Sequence, residues 1–233
     1  MQDLKDRILD AALIHVVFDG WSEATLAAAI ADTGADPGEA RALVPRGAVD
    51  LALAFHRKGD AAMVAALTPE RLAGLKIREK ITLAVRTRLE LMEMDKEAVR
   101  RGTTLFALPI HAADGARALW ETADAIWTAI GDESDDYNWY TKRLTLSGVY
   151  SSVVLYWLGD TSDGHAATWA FLDRRIEDVM RMEKVKAQVR QSKLLQPLMA
   201  GPDWVLSHIK APSKGGMADM PGHWSREKTQ EEG

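Results

Sequence analysis

The stretch 20–47, GWSEATLAAAIADTGADPGEARALVPRG, decides the fold. Gly20 closes one helix and Ser22 caps the next, its hydroxyl placed to accept from an orphan amide of the first turn. That second helix runs through Leu26 and Ile30 to a break at Gly34. Asp36-Pro37 then opens a short third helix, with proline at the first position, where no amide proton is needed, and Pro45 and Gly47 stop it. Upstream, Leu4, Ile8, Ala12 and Val16 recur every four residues opposite Asp3, Asp6, Arg7 and Asp10, as in an amphipathic helix. Three helices joined by tight turns make residues 1–46 a helix-turn-helix-like segment.

A DNA-reading helix must neutralise phosphates with Lys, Arg or helix amino termini. Residues 20–46 carry Glu23, Asp32, Asp36 and Glu39 against Arg41 and Arg46, a balance of -2. The third helix offers Ala40, Ala42 and Leu43, with no Lys, Tyr, Asn or Gln for base edges. The whole chain, at -5, supplies no basic footprint either. The segment therefore reads as a fold element without a nucleic-acid partner.

Downstream, helical periodicity continues over Ala48–Leu67, Pro69–Met94, Lys96–Leu108, His111–Ile130, Asn138–Leu158 and Ala166–Lys193, with Pro or Gly in the connections and no alternating strand pattern. The fold class is all-α, and residues 47–193 form its main helical domain. The 233-residue chain is long enough for a sizeable core. It has no cysteine, which excludes disulfides and thiolate metal sites. It has no apolar run long enough to span a bilayer and enters a helix directly after Met1, leaving no room for a presequence, so a cytoplasmic location is expected.

The second informative stretch is Asp135-Asp136-Tyr137-Asn138-Trp139-Tyr140-Thr141-Lys142-Arg143, running on to Tyr156-Trp157 and holding all four tyrosines. On a helix, Asp136, Trp139, Tyr140 and Arg143 share one face near its start. Two adjacent acids, Asn138, Lys142 and Arg143 are costly to bury, so Trp139 and Tyr140 are expected at the surface, where exposed aromatics beside an arginine mark an interface. Tyr150, Tyr156 and Trp157 are expected in the core.

Chemistry is conspicuous by its absence. None of the six histidines follows a glutamate by three residues, and there is no Walker lysine, Gly-x-Ser-x-Gly elbow or dinucleotide fingerprint. His15 and His56 read as packed, the other four as solvated. No metal, cofactor or catalytic residue is expected.

In the last long helix, Trp169, Leu172, Ile176 and Val179 form a stripe that packs either on a partner subunit or within the chain. Residues 184–214 reverse the sign of the chain, with six Lys and Arg against Asp203. Within them, 194–214 reads as an amphipathic tail that either meets a membrane surface through Leu194, Leu195, Leu198, Trp204 and Ile209 or packs back on the body. The composition of 215–233 is that of a disordered tail.

The amino-terminal architecture resembles that of TetR repressors, on Ile8-Leu9-Asp10-Ala11-Ala12, Phe18-Asp19-Gly20-Trp21 and Pro45 leading into Val49-Asp50-Leu51. A ligand-responsive regulator of that type is the alternative functional reading. From the aromatic stretch onward the chain resembles the coenzyme Q (ubiquinone) biosynthesis accessory family, the lipid-binding ninth member of that pathway's protein set. The residues that carry it are Asp136-Tyr137-Asn138-Trp139-Tyr140-Thr141-Lys142-Arg143, Tyr150, Trp169-x-Phe171-Leu172-x-x-Arg175 and Leu108-Pro109.

That resemblance implies a TetR-like fold that does not act on DNA, a homodimer, a hydrophobic cavity for an isoprenoid lipid or quinone intermediate, a membrane-touching carboxy-terminal helix and no catalysis of its own. It also implies that Asp136, Trp139, Tyr140 and Arg143 dock the demethoxy-ubiquinone hydroxylase, at the cytoplasmic face of the inner membrane in a bacterial homologue. The prolines of the present tail depart from the family's uninterrupted helix. For the cavity wall, the helical stripes nominate Phe55, Leu89, Leu108, Trp120, Trp127, Ser147, Ser151 and Val154.

Overall fold

The turn chemistry of the amino-terminal segment acts as its residue types dictate. In a computed structural model, which describes residues 2–191, helix α1 spans Gln2–Asp19, α2 Glu23–Thr33 and α3 Pro37–Leu43. The Ser22 hydroxyl accepts from the Thr25 amide at 3.2 Å, and Asp36 Oδ1 accepts from the Glu39 amide at 2.9 Å. Gly34 ends α2 at φ +62°, a left-handed conformation that costs glycine nothing.

Helix α4 (Ala48–Ala66) follows. The single helix expected over Pro69–Met94 is in fact two, α5 (Pro69–Leu72) and α6 (Ile77–Glu90). The break has a local cause: Gly74 turns the chain at φ +74°, and the Glu79 carboxylate accepts from the Lys76 amide at 2.7 Å, restarting the helix. Helices α7 (Lys96–Phe106), α8 (Ala112–Ala129), α9 (Tyr137–Gly159) and α10 (Ala166–Gln191) complete the described chain, which contains no strand among those residues. The expected membrane contacts Leu194, Leu195, Leu198, Trp204 and Ile209 lie outside the described residues, as does the stretch 215–233.

Ile8, Leu9, Ala12 and Val16 of α1 are buried, and α1 packs on α2 and α7. Full burial of each such Ile, Leu or Val contributes roughly 1.5–3 kcal/mol. The Trp21 indole donates to the Ala98 carbonyl at 3.0 Å and its ring lies 5.5 Å from that of Phe55, so the helix-turn-helix-like segment is bolted to the main bundle.

That bundle is α4, α6, α8 and α9, with α7 across one end and α10 along α9 and α6. The Trp169–Val179 stripe packs inside the chain, with Leu172 and Ile176 buried on those two helices. Of the aromatics assigned to the core, Tyr150 and Trp157 are buried, whereas Tyr156 is exposed and stacks flat on Phe171 with ring centres 4.5 Å apart. At the α9–α10 corner Asp160 accepts from Thr168 and Ser162, which holds its carboxyl well below the usual range.

Candidate ligand cavity and aromatic surface

Small residues leave the bundle unfilled where five helices converge. Ala52 and Phe55 of α4, Leu89 of α6, Gly102 and Phe106 of α7, Gly115 and Ala118 of α8, and Ser151 and Val154 of α9 surround a cavity of about 430 Å³. Such a volume lies within the range of small-molecule sites. Gly115 is needed there, because a Cβ in its place would stand 2.7 Å from that of Phe106. The cavity opens where Ala107, Ala112, Ala116 and Leu155 are exposed.

Apart from Thr103 and Ser151, the wall is apolar except for one polar cluster. His56 Nε2 lies 2.7 Å from the Thr122 hydroxyl, which reaches the Asp60 carboxylate at 3.0 Å. Arg88 donates from Nε to Asp60 at 2.8 Å and from Nη2 to the His56 carbonyl at 2.9 Å. Asp60, Arg88, Thr122 and the neighbouring Tyr150 are all buried. Burial pushes the His56 imidazole below and the Tyr150 phenol above their ordinary values, so both are neutral near pH 7.

A second feature lies on the outside of α8 and α9. Trp139 meets Tyr140 edge-on at 4.8 Å, and Trp120 stands 5.7 Å from Trp139 and 6.3 Å from Tyr140. Tyr140 is 36% exposed, Trp139 and Trp120 are half-buried, and Leu144, one turn farther along α9, is exposed. Asp136 is an exposed cap that accepts from the Asn138 amide at 2.9 Å.

Arg143 departs from the expected exposed corner. At 2% exposure it sits behind the rings, 4.0 Å from the Trp139 ring centre, donating to Asp124 at 2.5 Å and to Asp132 at 3.1 Å. The Asp132 side chain is 4% exposed. Burial alone would raise its carboxyl, but hydrogen bonds from Lys142, Ser134 and Arg143 hold it below the usual value. Arg143 thus braces the aromatic surface from within.

Of the nominated wall residues, Phe55, Leu89, Ser151 and Val154 line the cavity. Leu108 does not: it lies beyond the end of α7 and is 49% exposed. Trp120 belongs to the outer aromatic cluster. Trp127 donates to the Lys142 carbonyl at 3.2 Å and faces a separate cleft of about 250 Å³ between α6, α9 and α10. Ser147 is turned back on the helices, donating to the Arg143 carbonyl at 2.8 Å. Trp120, Trp127 and Ser147 follow apolar or small-residue periodicity on α8 and α9, and Leu108 continues that of α7 past its end, but periodicity cannot say which side of a helix meets a void.

Residues 112–183 match the family model described as COQ9. Over 207 residues the chain is 32% identical to the mitochondrial ubiquinone biosynthesis protein COQ9 of Rattus norvegicus, covering 85% of this chain and 66% of that protein. Over 196 residues it is 30% identical to the probable mitochondrial ubiquinone biosynthesis protein coq9 of Dictyostelium discoideum, covering 82% and 64%. The chain belongs to the COQ9 family.

It spans 64% and 66% of the lengths of these two COQ9 relatives. The family segment begins with α8, includes all of α9 and ends within α10, and so takes in the aromatic surface and one side of the cavity. A TetR transcriptional regulator from Nitrosomonas europaea superposes with a TM-score of 0.60 at 18% identity, covering 75% of this chain and 97% of that one, which shows a TetR-like fold in this COQ9-family chain. No helix among the described residues is long and apolar enough to cross a membrane.

The His56–Asp60–Arg88–Thr122 cluster was not anticipated from sequence. Its only local sign is His56 and Asp60 four residues apart around Gly59; the partners come from α6 and α8. In the helix-turn-helix-like segment, Arg41 pairs with Glu23 at 3.0 Å, and Arg46 with Asp50 at 2.9 Å and Asp114 at 3.0 Å.

Proposed function

We propose that this chain is a non-catalytic lipid-binding accessory protein of ubiquinone biosynthesis. It keeps an isoprenoid quinone intermediate in the cavity and passes it to a membrane-associated hydroxylase docked on Trp120, Trp139 and Tyr140. One observation carries the reading: the cavity mouth and the aromatic rings lie along the same α8–α9 surface. Tyr140, Leu144, Ser151 and Leu155 fall at helical spacing on α9, with Leu155 at the mouth. The pathway comes from the names of the COQ9 relatives.

The physical need is plain, since each CH₂ of a polyprenyl tail left in water costs about 0.8 kcal/mol. On the wall, the Arg88 guanidinium and His56 Nε2 are engaged with Asp60, Thr122 and the backbone, which favours holding over turnover. A homodimer and a peripheral place at the inner (cytoplasmic) membrane complete the proposal. The competing reading, a DNA-binding regulator, has less support because Arg41 and Arg46 are committed to carboxylates of their own chain.

Native mass spectrometry of the purified protein is expected to recover an isoprenoid quinone or its precursor; protein that stays empty after extraction from quinone-replete cells would sink the proposal. Tyr140→Ala is expected to weaken capture of the hydroxylase about tenfold or more, as for a ring at an interface centre. Its unfolding midpoint should stay close to wild type, because that ring is partly exposed. Unaltered capture by both Tyr140→Ala and Trp139→Ala would remove the docking surface from the proposal.

A further inference from the structure

The cavity has one polar pole, and its chemistry is more specific than a need for grease. Arg88 and Asp60 face each other at 2.8 Å, so their charges cancel. His56 is neutral by burial. With the proton on Nε2, the imidazole donates toward the Thr122 hydroxyl at 2.7 Å, and that hydroxyl donates to Asp60 at 3.0 Å. This tautomer leaves His56 Nδ1 as an acceptor with no hydrogen-bond partner among the described residues.

Tyr150 adds the complementary group. It lines the cavity, is 3% exposed, lies near enough to Arg88 and Asp60 to feel both charges, and its hydroxyl makes no hydrogen bond among the described residues. A buried phenol without a partner loses the hydrogen bonds it made in water, which is why such groups are nearly always satisfied. The Tyr150 oxygen borders the cavity and is not sealed in protein, so its partner is water when the cavity is empty and a polar group of the ligand when it is filled.

We infer that Tyr150 and His56 form a head-group site that takes a neutral oxygenated ring, with the Tyr150 hydroxyl donating to a ring carbonyl and His56 Nδ1 accepting from a ring hydroxyl where one is present. This rests on the proposed lipid-binding function and specifies it: the ligand enters ring first, and its tail trails toward Ala107, Ala116 and Leu155. The site discriminates against phosphate heads. Its only cation, Arg88, is already neutralised by Asp60, and a second anion beside that carboxylate would be repelled. A lipid with no polar head would bind by its chain alone and leave the phenol unsatisfied.

The test uses the full chain and three probes: a decyl-tailed benzoquinone, squalene as a headless isoprenoid, and farnesyl phosphate. The quinone is expected to bind wild type more tightly than farnesyl phosphate does. Tyr150→Phe, which removes one oxygen and keeps the ring, should weaken the quinone about 3- to 10-fold while leaving squalene unchanged. Equal quinone affinity in wild type and Tyr150→Phe, or a preference for the phosphate, overturns the head-group site but leaves the lipid cavity standing. Failure of wild type to bind quinone and squalene alike overturns the cavity reading and this inference with it. Should Tyr150→Phe not fold, the infrared carbonyl stretch of the quinone bound to wild type decides: a shift to lower frequency relative to the quinone in hydrocarbon supports the hydrogen bond, and an unshifted band overturns it.

Discussion

Replacing Arg88 with Met is expected to lower the unfolding free energy by about 3–5 kcal/mol, the cost of leaving one member of a buried ion pair alone. The guanidinium is 3% exposed and held at both ends, by Asp60 and by the His56 carbonyl. It crosses α4 at Gly59, where a Cβ would lie 2.4 Å from the guanidinium carbon, so the arginine has been given a slot that no other residue at position 59 would leave open. In Arg88→Met the Asp60 carboxylate keeps the Thr122 hydroxyl as a donor at 3.0 Å, with His56 Nε2 3.5 Å away. Urea unfolding measures the loss. Adding Asp60→Leu should restore most of it, because removing both charges leaves no ion to desolvate. A loss below about 1 kcal/mol in the single variant would mean that water reaches the pair.

The second large effect concerns the void. Ala52→Leu combined with Val154→Phe places extra carbons in the cavity from α4 and α9. If only two CH₂ groups of the ligand are displaced, at about 0.8 kcal/mol each, affinity for an isoprenoid falls more than tenfold. Stability should hold or rise, since empty space is being filled and no close-packed region is being crowded. Lipid retention by native mass spectrometry and thermal unfolding of the same preparation check the two halves. Unchanged retention in a folded double variant would locate the lipid elsewhere.

What could be read from sequence followed the range of the interactions. Ser22, Gly34, Asp36 and Pro37 act within a few residues of themselves, so the first three helices were legible almost to their ends. Gly74 lies inside an apparently continuous helical pattern, yet its left-handed turn separates one helix from the next. Trp139 and Tyr140 were legible as a surface because the charges around them resist burial, yet the same rule misplaced Arg143. Asp124 and Asp132, from α8 and the turn after it, supply the carboxylates that make its burial possible.

The cavity was half legible for a related reason. Phe55, Leu89, Ser151 and Val154 were named from apolar and small-residue stripes, but a stripe looks the same whether the next helix touches it or stands off. The stand-off is set by Gly102, Gly115 and Ala118, whose importance lies in atoms they lack. The polar pole needs four helices at once, and no single window of sequence contains it.

Because the rings and the opening lie along the same α8–α9 face, a partner that grips Trp120, Trp139 and Tyr140 and reaches about four turns farther along α9 would also roof the doorway beside Leu155. Under the proposed function, the guest could then change hands only under that roof, never through bulk solvent. The grip and the transfer would succeed or fail together, and a solitary copy, its doorway uncovered, would hold its guest less securely than a docked one.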